Sequence, residues 1–99
     1  MNSTLLTQSR ALANDKRLEI LVLLKDPKAH FTTDQYDETE GVCGLYIAEK
    51  IGIAPATAST HLKVLLQAGF VTSVRLGKYT YFKRKPGAFD ALADLIRTF

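Results

Sequence analysis

Cysteine occurs once in 99 residues, as Cys43, so no disulfide can form within the chain. Long hydrophobic runs are missing too. The longest wholly aliphatic stretch, Ile20 to Leu24, is five residues, far short of the ~20 that span a bilayer as a helix. The first ten residues, MNSTLLTQSR, hold no apolar core of a signal peptide. A cytoplasmic protein without membrane association is expected. Histidine is scarce: only His30 and His61 are present, and neither has another His or Cys at helical ligand spacing. There is no Ser-His-Asp or Cys-His constellation, no phosphate-cradling glycine loop and no carboxylate pair on an ordered element. Neither catalysis nor a resident metal or cofactor is expected.

The most informative absence is of acid. From Ile51 to Phe89 there is no Asp or Glu, while Lys63, Arg75, Lys78, Lys83, Arg84 and Lys85 all fall there. The net charge is only +3, so the rest of the chain is mildly acidic. A basic half joined to an acidic half is the electrostatic footprint of a nucleic-acid binder. Residues 1–99 read as one domain, and at this size folding buries roughly 60 to 70% of the unfolded surface. Stability is then modest, which favours oligomerisation.

What is present is organised around Leu45 to Phe70, LYIAEKIGIAPATASTHLKVLLQAGF. Ile47, Ala48, Ile51 and Ile53 bury one side of a short helix, and Gly52 sits where the chain leaves it, in the positive-φ conformation that commonly ends a helix. Pro55 suits the first turn of a second helix, where amide hydrogens have no intrahelical partner to lose. Ala58, Leu62, Leu65 and Leu66 recur at helical spacing toward the core. The opposite face carries Ala56, Thr57, Ser59, Thr60 and Lys63, small or polar groups that let a helix approach a major groove closely. The pair reads as a helix-turn-helix. His61 shares the side of Ala58 and Leu65 and is either a half-buried hydrogen-bonding residue or a DNA contact.

Upstream, Asn2, Ser3 or Thr4 can cap a first helix running to about Ala13, with Leu5, Leu6, Leu12 and Ala13 as its apolar positions. Asn14 and Asp15 then recap a second, core helix over about 16–25, with Leu18, Leu21 and Leu24 on one stripe and Ile20, Val22 and Leu23 widening it; Pro27 ends it. Asp26 to Gly44 is the least regular segment, with Asp34, Asp37, Glu38 and Glu40 near His30. That cluster matches no calcium or zinc spacing and reads first as a solvated loop, with a short strand at Val42 and Cys43. After Phe70, VTSVRLGKYTYFKRK alternates around Leu76 and Gly77 as a β-hairpin with Arg75 and Lys78 at its tip. At least two of Tyr79, Tyr81 and Phe82 are expected on its core face. From Pro86, a last helix repeats Phe89, Leu92, Ala93, Ile96 and Phe99. That apolar load is expected to meet a second subunit, against the first helix, or else its own domain.

The order α-α-α-α-β-β-α, mainly α with a small β-hairpin wing, resembles the ArsR/SmtB family of winged helix-turn-helix transcriptional repressors. ALANDKRLEILVLL, IAEKIGIAPATASTHLKVLLQAGFV and RLGKYTYFKR carry the resemblance, which covers about Leu12 to Arg84. It implies a homodimer paired through its first and last helices, including Leu5, Leu6, Phe89, Leu92, Ile96 and Phe99. It also implies a palindromic double-stranded operator and release by an inducing signal. By the same resemblance Thr57, Ser59, Thr60 and Lys63, flanked by Ala56 and His61, would face bases and phosphates, and the wing tip would run from Arg75 through Lys78 to Tyr79.

Two departures stand out. Ala54 replaces the family's usual serine N-cap, a change that costs a helix about 1 kcal/mol, and Pro55 and Ala56 replace positions that are often polar, which moves the expected base readout further along the helix. Cys43 occupies the first position of the family's Cys-x-Cys metal motif but Leu45 the second, and the last helix offers only Asp90 and Asp94, so metal sensing is not expected. Cys43 reads as a buried structural residue. The alternative from another class is a winged-helix module that binds protein; it would need neither the acid-free stretch nor a small polar recognition face. Phosphate neutralisation releases counterions, so a dimer with about four basic contacts per subunit should bind DNA with a log–log salt slope near about -7. Binding measured across a salt series that stays flat would remove the electrostatic argument.

Overall fold

Asn14 starts the helix around which the core assembles: its side-chain oxygen accepts the N–H groups of Lys16 (3.0 Å) and Arg17 (3.1 Å), as an N-cap does. The computed structural model describes residues 3–99. Its elements are α1 (Ser3–Leu12), α2 (Asp15–Lys25), a 3-10 turn (Pro27–Ala29), β1 (Tyr36–Asp37), β2 (Gly41–Cys43), α3 (Gly44–Ile51), α4 (Pro55–Gln67), β3 (Val71–Leu76), β4 (Tyr79–Arg84) and α5 (Ala88–Ile96). The cap considered at Asn2 lies outside the described residues.

Ile20, Leu21, Leu23 and Leu24 of α2 are buried against Val42, Ile47, Leu62, Leu65 and Phe70. The expected stripe is corrected at two positions. Leu18 and Val22 face outward, Val22 with 62% of its surface exposed, because from Leu18 to Leu24 the helix is apolar on every side but that of Glu19 and its own core covers only one side. An all-round apolar helix is one that meets packing partners on both sides.

The connector is more ordered than its composition suggests. Asp37 Oδ1 accepts the N–H groups of Thr39 and Glu40, both at 2.8 Å, closing a tight turn between β1 and β2. Lys83 Nζ donates to Thr39 O at 3.0 Å and ties that turn to β4. Its acidic residues do not converge: among the described residues no three His, Cys, Asp or Glu side chains gather closely enough to hold a metal. The strand expected at Val42 and Cys43 is β2. Strand β1 was not anticipated, because two residues show no alternation and owe their conformation to pairing (Tyr36 with Val42, Asp37 with Gly41).

All four strands are antiparallel in the order β1-β2-β4-β3. Only one of the three aromatics in β4 is buried. Phe82 enters the core, Tyr81 is half-buried and Tyr79 is exposed, since a strand sends residues 79 and 81 to the face opposite 82.

Phe70 is fully buried, a contribution of about 2 to 3 kcal/mol, and it stacks on Phe89 of α5 with centroids 4.9 Å apart. The Arg84 guanidinium lies 4.1 Å above the Phe89 ring and donates to Leu21 O at 3.1 Å. Burial pushes Arg84 below its ordinary pKa by stripping water from the charged form. The ring face and the carbonyl stand in for that water, so the ion holds α5 to the sheet and to α2 together.

Gly41 combines a φ of 100° with a close approach: a Cβ there would sit 2.0 Å from Phe82 O. Gly69, with φ 79°, has open space around the same position. In urea denaturation Gly69→Ala should lose about 1 to 2 kcal/mol from its left-handed backbone, and Gly41→Ala at least about 2 kcal/mol more from the clash. Equal losses would show that the β2–β4 contact yields easily.

Candidate nucleic-acid interface

Helix α3 ends as its sequence suggests, on Gly52 with φ 71°, whose N–H reaches the carbonyls of Ala48 and Glu49. Ile53 N–H donates back to Ala48 O at 3.1 Å and fixes the turn before α4. Pro55 is the first residue of α4, and Ala54 occupies the N-cap with no side-chain hydrogen bond to the helix. Ala58, Leu62 and Leu65 are buried, which sets the rotation of α4. Ala56, Thr57, Ser59, Thr60 and Lys63 are consequently exposed along one outer face.

That face has specific chemistry. Thr60 Oγ1 donates to Ala56 O at 3.2 Å, so its hydroxyl proton is used within the helix, leaving a methyl and lone pairs for an incoming base. A threonine methyl suits the C5-methyl of thymine, and hydroxyl oxygens accept from the exocyclic amines of adenine or cytosine. His61 is half-buried, and its Nδ1 lies 3.1 Å from Arg17 Nη1. Arg17 had no assigned role in the sequence; a single arginine between two helices carries no spacing signal.

The wing is the β3–β4 hairpin, closed by Gly77 and Lys78 between paired Leu76 and Tyr79. Arg75 Nε donates to Gly77 O at 3.3 Å, holding its guanidinium at the tip. Arg75, Lys78 and Tyr79 are all exposed. A cleft of about 310 Å³ between wing and helix is lined by Ser59 of α4, by Lys78 and Tyr79 of the wing and by buried Cys43. Thr57, Thr60 and Lys63 are not among the residues lining it.

The six cations of the acid-free stretch divide by task. Lys83 and Arg84 hold backbone carbonyls of the connector and α2. Lys63, Arg75, Lys78 and Lys85 stay exposed, and the ion pairs found among the described residues, Lys16–Glu19 and Arg97–Asp94, lie elsewhere. Among the described residues no carboxylate pairs with the helix and wing cations, and their field is free to attract phosphate.

The apolar residues assigned to the dimer contact fall into two groups. Leu92 is buried within its own chain, Phe89 is half-buried on Phe70, and Leu5 packs at the core margin. Leu6, Ile96 and Phe99 are exposed, Phe99 at 78%. Leu18 and Val22 extend the exposed apolar set; the apolar girdle of α2 was the signal for them.

A family model described as bacterial regulatory protein, arsR family, matches residues 42–73. The chain is 43% identical over 91 residues to the uncharacterised HTH-type transcriptional regulator YbzH of Bacillus subtilis (strain 168), covering 90% of this chain and 91% of that one. It is similar in structure to the homodimeric winged helix-turn-helix DNA-binding domain Mb0332 from Mycobacterium bovis, a possible ArsR-family transcriptional regulator. The TM-score is 0.68 at 26% identity, over 96% of this chain and 77% of that one. NolR from Sinorhizobium fredii shares the fold, with a TM-score of 0.65 at 23% identity over 97% and 84% of the two chains.

Substitutions separate positioning from readout. Arg75→Ala or Lys78→Ala should weaken binding to all duplexes by similar factors, whereas Ser59→Ala or Thr60→Ala should cost about 1 kcal/mol or more on a preferred site and little on random DNA. Titrations in which the helix variants lose equally on both DNAs would place the reading face elsewhere.

Proposed function

This chain belongs to the arsR family of bacterial regulatory proteins and is a transcriptional regulator with a winged helix-turn-helix DNA-binding domain; from that premise we propose that it works as a cytoplasmic homodimeric repressor on a palindromic operator, released by an inducing signal. The observation that carries the reading is the outer face of α4, made of small and hydroxyl side chains beside an unneutralised basic wing. In this reading Ala56, Thr57, Ser59 and Thr60 meet base edges, Lys63 meets phosphate, and Arg75, Lys78 and Tyr79 reach the backbone or the neighbouring minor groove. His61 supports α4 through Arg17 and does not touch DNA.

The dimer follows from apolar surface. Leu6, Leu18, Val22 and Ile96 are exposed on the helices and Phe99 just beyond α5, and a small domain gains stability by covering such residues with a second copy. Two-fold pairing turns one reading helix into two related by symmetry, and dimers of this kind meet half-sites about 34–36 Å apart, one turn of duplex.

Selection from a random duplex pool, followed by sedimentation, tests both parts. The enriched duplexes should carry an inverted repeat with half-sites about one helical turn apart, and the free protein should sediment at twice its 11.0 kDa chain mass at micromolar concentration. A pool that enriches nothing would sink the DNA reading; a mass of one chain, or direct repeats in the enriched set, would sink the symmetric dimer.

A further inference from the structure

The last carbonyls of α1 have no partner inside the helix, and Arg17 takes two of them. Its Nε donates to Ala11 O at 2.7 Å and its Nη2 to Arg10 O at 3.1 Å. A guanidinium at that end meets the negative pole of the helix dipole and these end carbonyls, of which Arg10 O also accepts from Ala13 N–H at 3.2 Å. The remaining edge of the same guanidinium reaches α4, where Nη1 lies 3.1 Å from His61 Nδ1. Arginine has no acceptor, so the imidazole accepts at Nδ1 and carries its proton at Nε2. A second contact joins the two helices directly. Gln8 Nε2 of α1 donates at 3.1 Å to the carbonyl of Ala68, the C-cap residue of α4.

Helix α4 is therefore gripped at two points about two turns apart, His61 and Ala68, both tied to α1. His61 follows exposed Thr60 directly, so any rotation of α4 that moves the grip turns Ser59, Thr60 and Lys63 with it. We propose that Arg17 and Gln8 are positioning residues for DNA readout: they clamp the recognition helix to α1, so that the angle at which Ser59 and Thr60 enter the groove depends on where α1 sits. The inference rests on the DNA reading above and adds what sets its geometry. Because α1 also carries exposed Leu6, a shift of α1 at the subunit contact is passed to the reading face through three hydrogen bonds from one side chain and one from another. Lysine cannot replace the arginine, because one ammonium does not present the planar fork that spans acceptors on two helices.

The test compares wild type with Arg17→Lys, Gln8→Ala, His61→Leu and His61→Asn on the duplex enriched from the random pool and on a scrambled duplex, with thermal melts and sedimentation alongside. Arg17→Lys and His61→Leu should lose at least about fivefold on the enriched duplex and less than about twofold on the scrambled one, the scale of a lost charge-assisted hydrogen bond. The dimer mass and the salt slope should not change. His61→Asn, whose Oδ1 can accept in place of Nδ1, should recover most of the loss, a rescue that mere destabilisation would not show. Gln8→Ala should lose less than Arg17→Lys but with the same preference for the enriched duplex. Equal losses on both duplexes, or a salt slope smaller by about 0.9 per subunit for an Arg17→Gln variant, would assign Arg17 to phosphate and overturn the clamp. Folded Arg17→Lys and Gln8→Ala proteins that bind as wild type does would overturn it as well; if Arg17→Lys does not fold, Gln8→Ala decides by the same two outcomes. A wild type that enriches no duplex sinks the DNA reading and the clamp with it, which sets that failure apart from variants that bind normally.

Discussion

A wing and a recognition helix can share one stretch of DNA only if they are held at a fixed offset, and Phe82 sets that offset. Its strand position pairs with Val42 on one side and Ser73 on the other, and its buried ring lies where a Cβ on Gly44 would come within 3.0 Å. One residue thus joins the wing, the connector strand and the start of α3. Interiors are close-packed and transmit displacement without absorbing it, so the wing tip and the helix-turn-helix move as one body. The glycines at 41 and 44 are the counterpart of that contact, since a side chain at either would press on Phe82.

The elements that sequence makes legible are those with a period or a punctuation mark. Gly52, Pro55 and the apolar spacing through Leu65 define the helix-turn-helix because each acts within one or two turns of chain. The β3–β4 hairpin is legible for the same reason. What escapes is anything decided between distant segments. Strand β1 exists through pairing, Lys83 is held by Thr39, and Arg17 meets His61 across 44 positions of sequence. Six cations look alike along the chain, yet two of them, Lys83 and Arg84, hold carbonyls of distant segments. Leu18 and Val22 mislead in the other direction, for an apolar residue on an apolar helix looks like core until the core is seen to cover one side only.

Helix α5 shows how one short amphipathic segment can serve two surfaces. Of its inner residues, Leu92 is buried in the core and Phe89 is held by Phe70 and by the Arg84 ion, whose desolvation is offset by the ring beneath it and the Leu21 carbonyl beside it. The outer residues remain uncovered. Anchoring comes first in this arrangement: a helix fixed to its own sheet presents Ile96 in a defined place, which would lower the conformational entropy to be lost in forming the proposed dimer.

The outer face of α4 takes almost no part in holding the molecule together. Ala56, Thr57, Ser59, Thr60 and Lys63 are exposed, while the burial that fixes the helix belongs to Ala58, Leu62 and Leu65. Exchanges at such surface positions typically change stability by no more than about 0.5 kcal/mol. If the outer face reads DNA as proposed, binding specificity and foldability are written in separate letters of the same helix. On that reading, descendants of this sequence can drift to new regulatory sites through those five outer positions without passing through an unfolded intermediate, and a laboratory library confined to them would explore new targets on an intact scaffold.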